Sequence, residues 1–118
     1  MFKGCYTALV TPMRNDGSVD YDGLERLIEF QIESNIQGVL AVGTTGESPT
    51  LLWEEHNEVI ERTVKLAKDR CLSIAGTGSN STKETLAGSE HAAHVGADAV
   101  LLVDPYYNGP SSLEIRRE

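Results

Sequence analysis

Apolar residues come in four short, nearly unbroken runs: CYTALVTP (5–12), GVLAVG (38–43), LSIAGTG (72–78) and DAVLLVDP (98–105). None alternates strictly with polar residues. Such runs predict strands buried on both faces, as in a parallel sheet. Between them the apolar spacing changes to steps of three and four. Leu24, Leu27, Ile28 and Ile32 predict a helix within residues 20–35, capped by Asp20 or Asp22 and followed by Gly38. Val59, Ile60, Val64 and Ala67 predict a second within 51–70, with acids leading and Lys and Arg trailing, as the helix dipole favours. A small-residue helix over 80–96 opens at Ser81 or Thr82 and uses Leu86, Ala93 and Gly96, with Gly88 as an unfavourable interior residue. SSLEIRRE, at 111–118, opens another helix.

The order is β-α-β-α-β-α-β, which builds a parallel sheet through right-handed crossovers. Two α/β architectures satisfy it. One is an open, doubly wound sheet of flavodoxin type. The other is the N-terminal half of a (β/α)8 barrel, a fold that needs about 250 residues when complete. The chain stops as a helix begins, which favours the barrel: residues 1–118 as one incomplete domain, its C-terminal half absent. A half barrel leaves two strand edges unpaired and one sheet face uncovered, which invites association.

Composition narrows the function classes. Ten Lys and Arg against eighteen Asp and Glu give a net charge of −8. With no basic run, the chain is a poor partner for nucleic acid or an anionic membrane. No stretch reaches the roughly 18 apolar residues of a membrane span, and MFKGCYTALVTP lacks the apolar core of a secretory signal. Cys5 and Cys71 have neither disulfide-framework nor zinc spacing and read as core thiols. Their usage points to a reducing, cytoplasmic setting. His56, His91 and His94 sit on helices without the partners a metal site needs.

The polar oddities collect after the strands, where both architectures place ligands. GTTGES follows the second run, GTGSNST the third and DPYYNGP the fourth. Gly43 and Gly46 let backbone turn sharply and approach a ligand. Thr44 and Thr45 offer hydroxyls and amides to a small carboxylate or a proton relay, or simply cap their own turn. Tyr106 and Tyr107 are neighbours, so one can face the site while the other cannot. A tyrosine hydroxyl there can pass a proton, or the ring can pack at a rim. GTGSNST can hold phosphate at a helix start or only cap that helix.

ALVTPM, GTTGES, IAGTGSNST and PYYN, in this order, resemble the 4-hydroxy-tetrahydrodipicolinate synthase (dihydrodipicolinate synthase) family. These are pyruvate-dependent class I aldolases, related to N-acetylneuraminate lyase. The resemblance covers essentially the whole chain but only the front part of a family member. It implies a lyase of lysine and diaminopimelate biosynthesis with no cofactor. Pyruvate forms a Schiff base with a lysine, and the enamine attacks L-aspartate 4-semialdehyde. It implies that Thr45 holds the pyruvate carboxylate and that Thr44 and Tyr107 form two parts of a proton relay. Tyr107 would then reach a neighbouring subunit's site, in a homo-oligomer built as a dimer of dimers. An L-lysine regulatory site would comprise Pro49, Trp53, His56, Asn80, Glu84 and Tyr106, with Glu84 expected one helical turn past Asn80. Pro49 and Trp53 stand where other members carry alanine and histidine.

The Schiff-base lysine has no counterpart here. Lys3, Lys65, Lys68 and Lys83 are not expected at the catalytic end of a strand. The resemblance puts the reacting lysine on a sixth strand, beyond residue 118. Alternatives are a sibling aldolase acting on N-acetylneuraminate or a 2-keto-3-deoxy sugar acid, a non-catalytic truncated paralogue, and a small open-sheet domain binding a phosphate-bearing ligand.

Overall fold

The computed structural model describes residues 2–115. Four strands form one parallel sheet: β1 (Tyr6–Ala8), β2 (Gly38–Ala41), β3 (Leu72–Gly76) and β4 (Ala99–Leu101). Three long helices alternate with them: α1 (Tyr21–Glu33), α2 (Trp53–Ala67) and α3 (Thr82–Val95). A single turn, α4 (Ser112–Ile115), follows β4.

The spatial order is β1-β2-β3-β4, the same as the chain order. A flavodoxin-type sheet reverses direction after its first crossover and puts helices on both faces. Here successive right-handed crossovers always step the same way, so the helices share one face. α1 packs on α2 and α2 on α3. This is the N-terminal half of a (β/α)8 barrel, and the open-sheet alternative is overturned. No helix among the described residues is long and apolar enough to cross a membrane.

The two faces of the sheet differ sharply. Thr7, Val39 and Ser73 share a register row on the helix side, where Thr7 Oγ1 donates to Gln31 of α1 at 2.7 Å. Val39, Ala41 and Ala75 are buried there against Leu24, Ile28, Val59, Ile60 and Ala67. The opposite row, Ala8, Leu40, Ile74 and Ala99, has no layer over it among the described residues. The expectation of burial on both faces is therefore corrected: the unbroken apolar runs are covered by helices on one face only. The last run is the most open, with Val100, Leu101, Leu102 and Val103 all over 40 % exposed.

Helix boundaries follow local chemistry. Asp20 caps α1, accepting from the Gly23 amide at 3.1 Å. Glu55 reaches back to the Leu52 amide at 3.0 Å at the start of α2. Ser81 caps α3, and Gly96 ends it in the left-handed region. Two sequence expectations fail on α3. Leu86 is 59 % exposed and Ala93 is exposed as well, and the buried positions are Gly88 and Ala92. Gly88 is buried beside the Trp53 ring, which lies 3.5 Å from where a Cβ would sit, an ordinary contact distance, so packing there does not demand glycine. Cys5 is exposed rather than a core thiol, and Cys71 is half-buried. Arg62 ties the helix layer together, bonding Glu58 and Glu25 and lying 4.4 Å over the Tyr21 ring. Burial there, with Glu58 alongside, pushes the Tyr21 hydroxyl up to about 12.

Candidate functional site

The loops after β2, β3 and β4 meet at the C-terminal edge of the sheet. They enclose a cavity of about 360 Å³ over its open face, lined by Val42, Gly43, Thr44, Gly76, Leu101 and Asp104 among others.

The first loop is held by strain and by one buried hydroxyl. Val42 is buried in the left-handed region (φ 47), a costly conformation for a β-branched residue. That turn throws its carbonyl across the neighbouring strand. A side chain at Gly76 would strike the Val42 carbonyl oxygen and lie 2.9 Å from the Gly43 amide nitrogen, so glycine is required there. Thr11, buried, donates to the Gly46 carbonyl at 2.7 Å and pins the far side of the turn. Gly46 and Glu47 amides close the turn onto the Gly43 and Thr44 carbonyls. Thr11, Val42 and Gly76 were missed as site residues from sequence. Only the TPM triplet and the glycines hinted at them.

The threonines then part. Both are exposed, but only Thr44 lines the cavity. Tyr107 is 99 % exposed with φ 67 and turns away, whereas its neighbour Tyr106 faces inward. The chain therefore does not bring Thr44 and Tyr107 together by itself. No lysine lines this cavity among the described residues. Lys3 precedes β1, Lys65 lies on α2, Lys68 caps its end and Lys83 sits in the first turn of α3.

A second cavity, about 220 Å³, lies behind the first and shares Ser48, Pro49, Gly78 and Tyr106 with it. All six residues of the expected regulatory set line it: Pro49, Trp53, His56, Asn80, Glu84 and Tyr106. Asn80 precedes the Ser81 cap, so it is a loop residue; the one-helical-turn relation to Glu84 is corrected. The Ser79 hydroxyl donates to Glu84 at 2.6 Å, and Asn108 Nδ2 donates to the Asn80 carbonyl at 2.9 Å, joining the third and fourth loops. His56 is 2 % exposed, its ring 4.8 Å from that of Trp53, with the Asn57 side chain and the Gly76 backbone as its polar neighbours. Burial holds its pKa below the ordinary value.

Parallel strands in sequential order, one helix layer and a cavity at the strands' C-terminal ends define a barrel of the ligand-binding (β/α)8 class. Residues 1–117 match the Dihydrodipicolinate synthetase family, and the chain belongs to it. It is 53 % identical over 117 residues to 4-hydroxy-tetrahydrodipicolinate synthase of Methanocaldococcus jannaschii, covering 99 % of this chain and 40 % of that protein. It superposes on the Acinetobacter baumannii dihydrodipicolinate synthase complexed with pyruvate with TM-score 0.95 at 46 % identity, over 99 % of this chain and 40 % of the other. The lysine-bound enzyme of Cyanidioschyzon merolae matches with TM-score 0.90 at 39 % identity, over 95 % and 38 %. The chain thus spans about two-fifths of the length of the relatives it matches.

Gly76→Ala is expected to destabilise the chain by about 1–3 kcal/mol through overpacking. It should also speed amide exchange in residues 43–48, read by hydrogen–deuterium exchange. Unchanged exchange there would show that the Val42 turn does not depend on position 76. His56 gives a second prediction. Its folded pKa lies below its unfolded value, so its share of stability is present above about pH 6.5 and is lost as pH falls towards the folded value. Urea unfolding should show stability falling from pH 7 downwards, with a shallower slope in His56→Phe; equal slopes would refute the assignment.

Proposed function

We propose that this chain is the front part of a pyruvate-dependent lyase that makes 4-hydroxy-tetrahydrodipicolinate, in lysine and diaminopimelate biosynthesis. The observation that carries the reading is the strained GTTGE turn, which presents Thr44 to a cavity at the strand ends of a family barrel. In the proposed reaction pyruvate forms a Schiff base with a lysine, and its enamine attacks L-aspartate 4-semialdehyde. Thr45 holds the pyruvate carboxylate, and Thr44 and Tyr107 pass protons. The pyruvate-complexed relative supports the first substrate. Full exposure of Tyr107 in a strained backbone supports its donation to a neighbouring subunit. The working protein is then a cytoplasmic homo-oligomer, a dimer of dimers.

Residues 1–118 carry only part of that site and do not turn over alone. In the intact protein the reacting lysine comes from outside them. A sibling aldolase is the competing reading, supported by the Mycoplasma synoviae N-acetylneuraminate lyase, which matches with TM-score 0.92 at 31 % identity, over 98 % of this chain and 40 % of the other. The higher identity of the synthases favours the first.

A second role rests on the smaller cavity: it takes L-lysine as an effector. Glu84 offers a carboxylate, Asn80 an amide and Trp53 a ring face to an ammonium-bearing aliphatic chain. The lysine-bound relative supports this ligand. The shared wall of Ser48, Pro49, Gly78 and Tyr106 gives the two cavities a physical connection.

Intact mass spectrometry of the protein from its native source, treated with pyruvate and borohydride, tests the main reading. A mass more than twice this chain's 12.8 kDa that gains a pyruvyl adduct is expected. A chain-sized product without adduct would overturn it. Calorimetry on that same protein tests the second: L-lysine should bind, and Glu84→Gln should weaken binding roughly tenfold, as removal of one charged partner does. Equal affinity in the variant would refute the assignment of Glu84.

A further inference from the structure

The turn after β2 divides its backbone donors into two sets. The Gly46, Glu47 and Ser48 amides close the turn onto the Gly43 and Thr44 carbonyls. The Thr44 and Thr45 amides donate to no backbone carbonyl among the described residues. Two amides and two hydroxyls are thus left for a ligand, and the peptide that follows them sits on a permissive residue. Gly46 is buried, and a Cβ on it would lie 3.1 Å from Val42 Cα and 3.2 Å from both the Leu9 carbonyl oxygen and Thr11 Oγ1. Packing keeps this position free of a side chain. The same choice gives its backbone the widest freedom. Glu47, next in line, is left-handed with φ 58, so the peptide between the two rotates at little steric cost.

One orientation of that peptide is held at both ends. Its N–H donates to the Thr44 carbonyl at 3.1 Å, and its C=O accepts from the buried Thr11 hydroxyl at 2.7 Å. Thr11 is fixed independently of the turn. Two residues before it, the Leu9 amide donates to the Leu40 carbonyl of β2 at 2.9 Å. One residue after it, the Pro12 carbonyl accepts from the Asp20 amide, at the cap of α1, at 2.8 Å. Pro12 also locks its own φ, and Met13 bridges to Val19. Neither Thr11 nor Gly46 lines the larger cavity, so the carbonyl between them points behind the turn.

We propose that Thr11 is a positioning residue for the substrate carboxylate. Its hydroxyl holds the Gly46 carbonyl oxygen behind the turn, so that only donors, the amides and hydroxyls of Thr44 and Thr45, meet the anion. With that peptide rotated, a carbonyl dipole would turn its negative end towards the anion and repel it. Thr11 touches no substrate and acts through the turn. The inference rests on the proposed pyruvate reading, in which Thr45 holds the carboxylate.

The test uses the intact protein, with borohydride trapping of the adduct against rising pyruvate or methyl pyruvate, which carries no carboxylate charge. Thr11→Val keeps the side chain's shape and removes the hydroxyl. It should raise half-saturating pyruvate at least about tenfold, as loss of a hydrogen bond serving a charged group does. Methyl pyruvate should shift by less than about twofold, and full adduct should still form at saturation. Thr11→Ser, which keeps the hydroxyl, should restore the preference for pyruvate. General damage to the fold would weaken both ketones alike, and that result would overturn the proposal. So would an unchanged preference in Thr11→Val or no rescue by serine. Hydrogen–deuterium exchange on the unaltered protein needs no variant: amides of 46–48 should be slow before pyruvate is added. Fast exchange there, slowed only by pyruvate, would show that the ligand and not Thr11 sets the turn. No adduct in the unaltered protein would defeat the proposed function and this inference with it; an adduct with unchanged preference in Thr11→Val defeats this inference alone.

Discussion

The close approach of α2 to the central strand pair carries the rest of the structure. Val59, Ile60, Thr63 and Ala67 of α2 are buried with Val39 and Ala41 of β2 and Ala75 of β3. The alanines matter as much as the larger side chains. Ala41 and Ala75 are register partners, so the surface under the helix is smooth and the backbones come near. Parallel pairing then ends β2 and β3 at the same level, and their following loops leave side by side. A cavity between GTTGES and GTGSNST is a consequence of that register.

Close approach continues above the strands, where glycine replaces side chains. The Val42 carbonyl occupies the space over Gly76, and Val103 backbone occupies the space over Gly78. The site floor is therefore built from peptide groups, which are polar, rigid and fixed by the sheet. The left-handed turn at Val42 costs energy that only a tightly packed surround can hold in place. Thr11 contributes from β1's loop, so three successive loops share one anchoring scheme.

Behind this floor sits an unusual buried histidine. Its ring lies next to an indole and shares a cavity with a carboxylate, with the Asn57 side chain and the Gly76 backbone alongside it. The net charge of −8 plays no part in either cavity's shape, though it disfavours anionic polymers as partners.

The sequence by itself determined the alternation of strands and helices, the Asp20 and Ser81 caps, the buried stripe of α2 and the loops that carry polar groups. These are local signals, set by periodicity and capping chemistry within a few residues. The family resemblance also named six side chains that converge on one cavity. Only the tertiary structure decided which face of each run was covered, because a continuous apolar run looks the same whether one layer or two packs on it. It alone chose barrel order over open-sheet order, which depends on the direction of successive crossovers. It also revealed Thr11 and the Val42–Gly76 contact, and turned Leu86 and Cys5 outward. Those outcomes depend on contacts between residues distant in sequence, and no local pattern of polarity records them.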